Sequence, residues 1–414
     1  MQPTSAPAAT AERGQGKPLR LPYSLWTTDR LTGDWGGART KLEDAGLTFR
    51  LFYNQQAQQN FLGGLQHDHG RFTGSYDLQF EADFQKLGLV PGSSFFMETS
   101  GSYGDGINPT KVGALFNVNA DASGDQSIYV KKWWFTQRLL KDKVEFRLGE
   151  IQTNKDLFDV SFYANHEDLH FLNQASIRNP TIPHRTGIGA FAKVEPVDWF
   201  YFQAAAVDAQ SIPRTTGFNT AFHDEAHFLG FWEAGLMPTW QSGRGSLPGK
   251  YRIGWWYNPT PKMVFEDTLD GRRQPDEEAG DLGLYLGLDQ MVWKENSDPM
   301  DKQGLGIFAR YGTSHGDVNK VNNAWEVGAS YKGLIPRRDQ DVMGLAVSQG
   351  ILSEKYRNEC NEQADRETVY EWYYAIRLTP WCIFTPDLQV VTNPGGNRDA
   401  PDAFIGGFRI RIIF

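Results

Sequence analysis

The sequence predicts an all-β chain closed into a transmembrane antiparallel β-barrel of about sixteen strands, with short turns at one end, long loops at the other and a short N-terminal helix. Three observations carry this reading. The first is composition: 414 residues include 13 Trp, 16 Tyr, 27 Phe and 43 Gly, with a net charge of −9. The mean hydropathy is nevertheless only −0.50. So many aromatic rings demand burial or an interface, and a barrel supplies one because lipid-facing and lumen-facing residues alternate and average out. The second is that alternation itself, sustained over segments longer than soluble strands. The third is the segregation of connection lengths.

Residues 1–22 are rich in Ala, Pro, Gly and Thr without an apolar run and read as a loosely held tail. No secretory signal is recognisable there, so an exported protein would be present in mature form, with the opening Met an added start. In 23–46, a segment expected on the periplasmic side, Asp34 is a plausible N-cap, Lys41 to Ala45 a short helix and Gly46 its stop. The barrel is expected over 47–414.

The clearest strand runs from Arg71 to Gln85. Phe72, Tyr76, Leu78, Phe80 and Phe84 share one face, and Thr73, Ser75, Asp77, Gln79, Glu81 and Asp83 the other. A soluble strand averages about five or six residues, whereas a membrane-crossing strand needs about 9–11. The same alternation recurs at Lys250–Asn258, Leu305–Gly312, Trp325–Lys332, Tyr370–Thr379 and Phe408–Phe414. Weaker segments near 47–58, 93–103, 127–139, 143–153, 187–195, 197–208, 228–240, 281–293, 341–352 and 381–392 complete an even set. Tight connections such as Leu140–Lys143, Pro196–Asp198 and Pro380–Trp381 alternate with long polar ones near 59–70, 104–126, 154–186, 209–227, 258–280, 313–324, 353–366 and 393–402. A soluble sandwich has no reason to sort loop lengths in this way.

Several function classes are excluded or weakened. The negative charge argues against nucleic acid. Two Cys cannot build a thiolate metal site or a disulfide scaffold. Cys360 and Cys382 fall at opposite ends of one strand, roughly 40 Å apart at the usual rise, so no bridge is expected. No catalytic or phosphate-binding motif is present, and His166, His170 and His184 fit no metal-ligand spacing. No cofactor is implied.

A barrel of this size leaves an aqueous lumen, whose selectivity comes from its width and lining charge. Alternation places Asp77, Glu81, Glu98, Lys132, Trp134, Glu145 and Arg147 on that lining. Near 127–139 the register leaves Lys131 and Trp133 open as the alternative pair. Arg252, Arg310, Glu371, Arg377, Arg409 and Arg411 share the inner face, mostly as solvated wall. The longest loop, 154–186, carries aromatics that need packing and is expected to fold into the barrel and narrow it, with His166, Asp168, Asn173 and Arg178 as candidate contacts. Acids, bases and rings in one lumen suit a neutral polyhydroxylated solute, whose hydroxyls both donate and accept.

The segment Gly33-Asp34-Trp35-Gly36-Gly37-Ala38-Arg39, with Leu42 and Gly46, resembles the amino-terminal signature of the OprB-type carbohydrate-selective porins. Pro386-Asp387-Leu388-Gln389 with Asn393-Pro394-Gly395-Gly396, His170-Phe171-Leu172-Asn173 and Asn179-Pro180 are similar to that family's later motifs, and the likeness spans about residues 24–414. The resemblance implies a sixteen-stranded outer-membrane channel of a Gram-negative bacterium, in contact with outer-membrane lipid and passing glucose and related monosaccharides by diffusion. It leaves open whether the barrel is a monomer or a trimer. The competing readings are an outer-membrane barrel enzyme, such as a glycosidase or lipase, and a soluble all-β sugar-binding protein.

Overall fold

The computed structural model describes residues 24–154, 156–164, 170–212, 218–222, 226–265, 277–278, 280–298, 300–360 and 363–414. Among them, sixteen long strands form one closed antiparallel barrel. They are β1 (Leu47–Leu62), β2 (Arg71–Asp83), β3 (Ser93–Tyr103), β4 (Gln126–Leu139), β5 (Val144–Gln152), β6 (Thr186–Val197), β7 (Phe200–Asp208), β8 (Phe228–Leu236), β10 (Gly245–Asn258), β13 (Asp281–Lys294), β14 (Gly304–Ser314), β15 (Val321–Lys332), β16 (Val342–Leu352), β17 (Arg366–Thr379), β18 (Cys382–Thr392) and β19 (Ala403–Ile413). β1 pairs with both β2 and β19, which closes the sheet and leaves no barrel edge. No helix among the described residues is long and apolar enough to cross a membrane.

The alternation sets the faces. On β13, Leu282, Leu284 and Leu286 stay about half exposed on the outside, while Tyr285 and Asp289 are buried inside. Every strand expected from the sequence is found, with boundaries moved by a few residues. The largest departure follows Leu236. Residues 228–240 were expected as one strand, but Pro238 has no N–H to give to the ladder. The strand ends at Leu236, and a four-residue strand, β9 (Thr239–Ser242), turns back on the start of β10. A second small hairpin, β11 (Lys262–Met263) with β12 (Glu277–Glu278), lies in the loop after β10.

The N-terminal helix α1 (Ala38–Ala45) begins three residues before Lys41. Its N-cap residue is Gly37 and not the expected Asp34; Asp34 still bonds to the first turn, its Oδ1 accepting from the Thr40 N–H at 2.8 Å and from the Thr40 hydroxyl at 2.7 Å. Gly46, at φ 101°, ends it in the left-handed conformation that glycine adopts without strain. The segment is tied to the short-turn end, where Leu31 N donates to Ile413 O and Trp381 Nε1 to Leu25 O. Cys382 is a free thiol beside the short turn, whereas Cys360 ends helix α3 (Glu354–Cys360) in a loop at the opposite end.

Candidate channel constriction

The connection between β5 and β6 turns into the barrel. Its two ends are joined at the neck, where the Asn154 amide reaches the carbonyls of Asn179 and Ile182 at 3.5 and 3.4 Å. Phe158 then stacks on Phe231, with ring centroids 5.0 Å apart, inside an apolar cluster with Phe96, Trp134, Phe191 and Trp256. Irregular backbone at membrane depth must find its hydrogen bonds in the wall, and inward amide and charged side chains provide them. Gln203 donates to Leu157 O at 2.6 Å, Glu233 accepts the Asp159 N–H at 2.8 Å, and Lys250 Nζ donates to Val160 O at 3.1 Å. Asp289 accepts from Phe162 N and from the Ser161 hydroxyl.

Further along, the loop reaches the β14–β18 wall. Arg310 donates to the carbonyls of Ser176 and Ile177 at 2.7 and 3.2 Å. Glu371 accepts from the N–H groups of Leu172 and Asn173. Asn173 caps the one-turn helix α2 (Gln174–Ile177) by accepting from Ala175 N at 2.9 Å, and its amide donates to Gln389 at 3.0 Å. It is fully buried against the wall, so Asn173 docks the loop and its side chain does not line the water path. Arg178 follows α2 at the end of that helix and is half-buried. His166 and Asp168 lie outside the described residues.

One ion-pair network centred on Asp159 fixes this docking. Arg252 lies 3.0 Å from Asp159 and 2.5 Å from Asp289, and all three side chains are fully buried. Arg310 lies 3.6 Å from Asp159 and pairs with Glu326. The expectation that such inner-face charges are solvated wall is therefore corrected for Arg252, Arg310, Glu371 and Arg409. Arg409 is buried and donates to His170 O at 2.9 Å. The loop takes the place of water over them.

A second loop, 104–125, also folds inward, which the sequence reading did not anticipate. Glu367 accepts from Leu115 N at 2.5 Å, Phe116 N at 3.0 Å and Gly395 N at 2.7 Å. Asp121 accepts from Gln56 and Ser75, each at 2.6 Å. The two loops meet through Ala120 N to Leu172 O and Gln174 N to Asn117 O. A signal was present: Asn54, Gln56, Gln58 and Asn60 put four amides at every second position of β1, and all four are buried. An amide row of this kind supplies donors and acceptors to backbone lying on it.

The wall of β2 to β5 carries most of the remaining candidates. A β-bulge between the Glu98–Lys132 and Thr99–Val130 pairs resolves the open register. The extra residue is Lys131, so both lysines point inward. Lys131 Nζ lies 3.2 Å from Glu98 and 3.5 Å from Asp77, and Lys132 Nζ lies 3.6 Å from Glu98 and 2.5 Å from Asp156. Gln79 donates to Glu98 at 2.8 Å. Lys131 is the more open lysine, with 28% of its side chain exposed against 11% for Lys132. Glu81 pairs with Arg50 at 3.6 Å, both about one-third exposed. Glu145 bridges Arg138 and Arg147 at 3.1 and 2.6 Å. Trp134 is buried, stacked on Phe96 with centroids 4.4 Å apart, and faces the Arg147 guanidinium at 5.3 Å. It offers no open ring to a solute and instead holds Arg147 in place.

A closed sixteen-strand barrel, narrowed from within by its longest loop, is a porin architecture. The family model for the carbohydrate-selective porins, OprB family, matches residues 68–414. The chain belongs to the OprB family. Porin B of Pseudomonas aeruginosa is 25% identical over 95% of this chain and 92% of its own length. The putative porin QuiX of Acinetobacter baylyi is 20% identical, covering 96% and 97%. Among solved structures, the high-pH form of Pseudomonas putida OprB superposes with a TM-score of 0.83 at 22% identity, covering 95% of this chain and all of that one; its low-pH form gives 0.62. This OprB-family barrel is an outer-membrane porin, and its relatives are channels.

Proposed function

We propose that this OprB-family channel passes monosaccharides such as glucose by diffusion down their gradient, and that the wall between Asp77 and Arg147 contributes the contacts that select them. The observation that supports this reading is local charge compensation. Asp77, Glu98 and Asp156 interleave with Lys131 and Lys132 within 4 Å. Such a wall keeps strong donors and acceptors side by side without building a field of one sign. A neutral sugar, whose hydroxyls serve as donor and acceptor at once, can exchange water for these groups in many orientations. Anions would instead call for a ring of Arg and Lys. Contacts of this kind must stay weak, because a channel solute has to leave as readily as it enters. Asp77, Glu81, Lys131, Arg147 and Arg178 are the candidate solute contacts, and Glu98, Lys132, Trp134 and Glu145 hold them in place.

Liposome swelling with the purified protein tests the reading, using glucose, a disaccharide and a neutral amino acid of similar size to glucose. Faster swelling with glucose than with either comparison supports it. Equal rates for all three overturn sugar selectivity. Turnover of a glycoside or ester, abolished by one carboxylate or hydroxyl substitution while conductance persists, would favour an enzyme instead.

A further inference from the structure

Beneath the point where loop 153–185 meets loop 104–125, two carboxylic side chains share one buried site. Glu371 on β17 and Asp387 on β18 are at most 1% exposed. They face the same side of paired strands, where Glu371 lies opposite Gln389 and Asp387 opposite Tyr373, close enough for their carboxyl groups to share a hydrogen bond. A carboxylate has only acceptor oxygens, so two carboxyls can bond only when one of them carries a proton. The surrounding partners show where that proton belongs. Glu371 spends its oxygens on the Leu172 and Asn173 N–H groups, and Ser176 also bonds to it. Asp387 Oδ1 accepts from Gln389 Nε2 at 2.8 Å, while Asp387 Oδ2 is buried with no donor directed at it. A hydroxyl on Oδ2 would donate to Glu371.

We propose that Glu371 and Asp387 share one proton, and that this acid pair is a pH-responsive positioning device for the constriction loop. Glu371 holds the loop backbone directly. Gln389 extends the same site to the second loop, because its amide donates both to Asp387 and to Val118 O, the latter at 2.9 Å. Losing the proton places two negative charges in hydrogen-bond contact in a site closed to water. Like charges so placed repel strongly, and the clamp on Leu172 and Asn173 gives way.

The neighbouring charges fit a single negative charge. From β19, Arg409 is the cation facing Asp387. With one proton, the acid pair and Arg409 sum to zero. From the loop, His170 gives its carbonyl to Arg409 and sets its ring 5.9 Å from that of Tyr373. From β17, the Tyr373 hydroxyl bonds with Ser330 at 3.2 Å, and Glu367 is occupied by the backbone N–H groups of Leu115, Phe116 and Gly395. Asn173, Ser176 and Gln389 are neutral partners.

The test uses the full-length porin in detergent and in planar bilayers. In the wild type, infrared difference spectra against D387N and against E371Q should each contain the C=O band of a protonated carboxylic acid. Single-channel conductance of the wild type should step between two levels as the buffer goes from mildly acidic to alkaline. D387N and E371Q each replace the shared proton with a permanent amide donor, so both should lose that step and stay at the low-pH level. Heat-modifiable gel mobility identifies which variants are folded, and either folded variant suffices. A difference spectrum without an acid band, or a pH step that persists in a folded amide variant, overturns the proposal.

Discussion

Arg252→Met isolates what the buried charges do for the channel. The guanidinium lies between Asp159 of the loop and Asp289 of β13, at 3.0 and 2.5 Å, with all three side chains fully buried. Methionine keeps much of the length and removes the charge. Among the described residues, Asp289 then keeps Ser161 and Phe162 as loop donors, and Asp159 keeps Arg310 at 3.6 Å. Removing one partner of a buried ion pair costs about 3–5 kcal/mol. That cost falls on loop docking and not on barrel closure, because the backbone pairing of Arg252 with Gly287 and Gly235 does not involve its side chain. At about 1.4 kcal/mol per tenfold change, the ratio of docked to undocked loop drops by about two to three and a half powers of ten. The expected outcome is a higher single-channel conductance, permeation by oligosaccharides that the parent excludes, and faster external proteolysis of the loop. Heat-modifiable gel mobility should be retained. A folded R252M with unchanged conductance and unchanged size cut-off would refute the assignment of Arg252 as a loop anchor.

Glu367→Ala leaves three backbone donors, those of Leu115, Phe116 and Gly395, without their acceptor. At about 1–3 kcal/mol for each orphaned buried group, loop 104–125 should exchange its amide hydrogens at least tenfold faster, as read by mass spectrometry. Unchanged exchange there would show that the loop is held by other means. Gly306→Leu puts a side chain where the Tyr163 ring lies against the bare backbone of β14, so it should displace the ring and weaken the Tyr163 O to Ser330 contact of 2.9 Å. Altered conductance in a folded barrel is the expected reading, and wild-type conductance argues against a seat for the loop at Gly306. In the outer loops, burial raises the Asp365 carboxyl, but the hydrogen bond from Arg398 and the charge of Arg366 outweigh it and hold the group below its ordinary value. A depressed carboxylate gives stability that is complete above its unfolded value, about 3.9, and lost as the pH falls through the lower folded one. Hydrogen exchange around Asp365 should therefore accelerate only below about pH 4, and acceleration at mildly acidic pH contradicts the ion-pair account.

Much of the barrel was legible because strand alternation is a local signal. Leu282, Leu284 and Leu286 announce their side of β13 whatever the neighbouring strand does, and the tight turn at Leu140–Lys143 announces its end of the barrel. The constriction was legible only as a tendency. A loop with Phe158, Phe171 and Leu172 had to pack on something, but its partners are as far away in sequence as Arg310 and Glu371. Loop 104–125 was missed because its anchors, Gln56, Glu367 and Gln389, sit on three different strands.

The sequence by itself determined the strands, their two faces, the ends at which short and long connections lie, and the family. Period-2 patterning and turn chemistry are short-range and survive in a linear reading. Only the tertiary structure decided which inner charges meet water and which meet backbone. Asp77 and Arg252 follow the same alternation, yet one lies beside the partly exposed Lys131 and the other is sealed under a loop. It also decided that Lys131 points inward, because a bulge is a property of two strands in register. Burial and pairing at those positions depend on segments a hundred or more residues away, brought together only when the barrel closes.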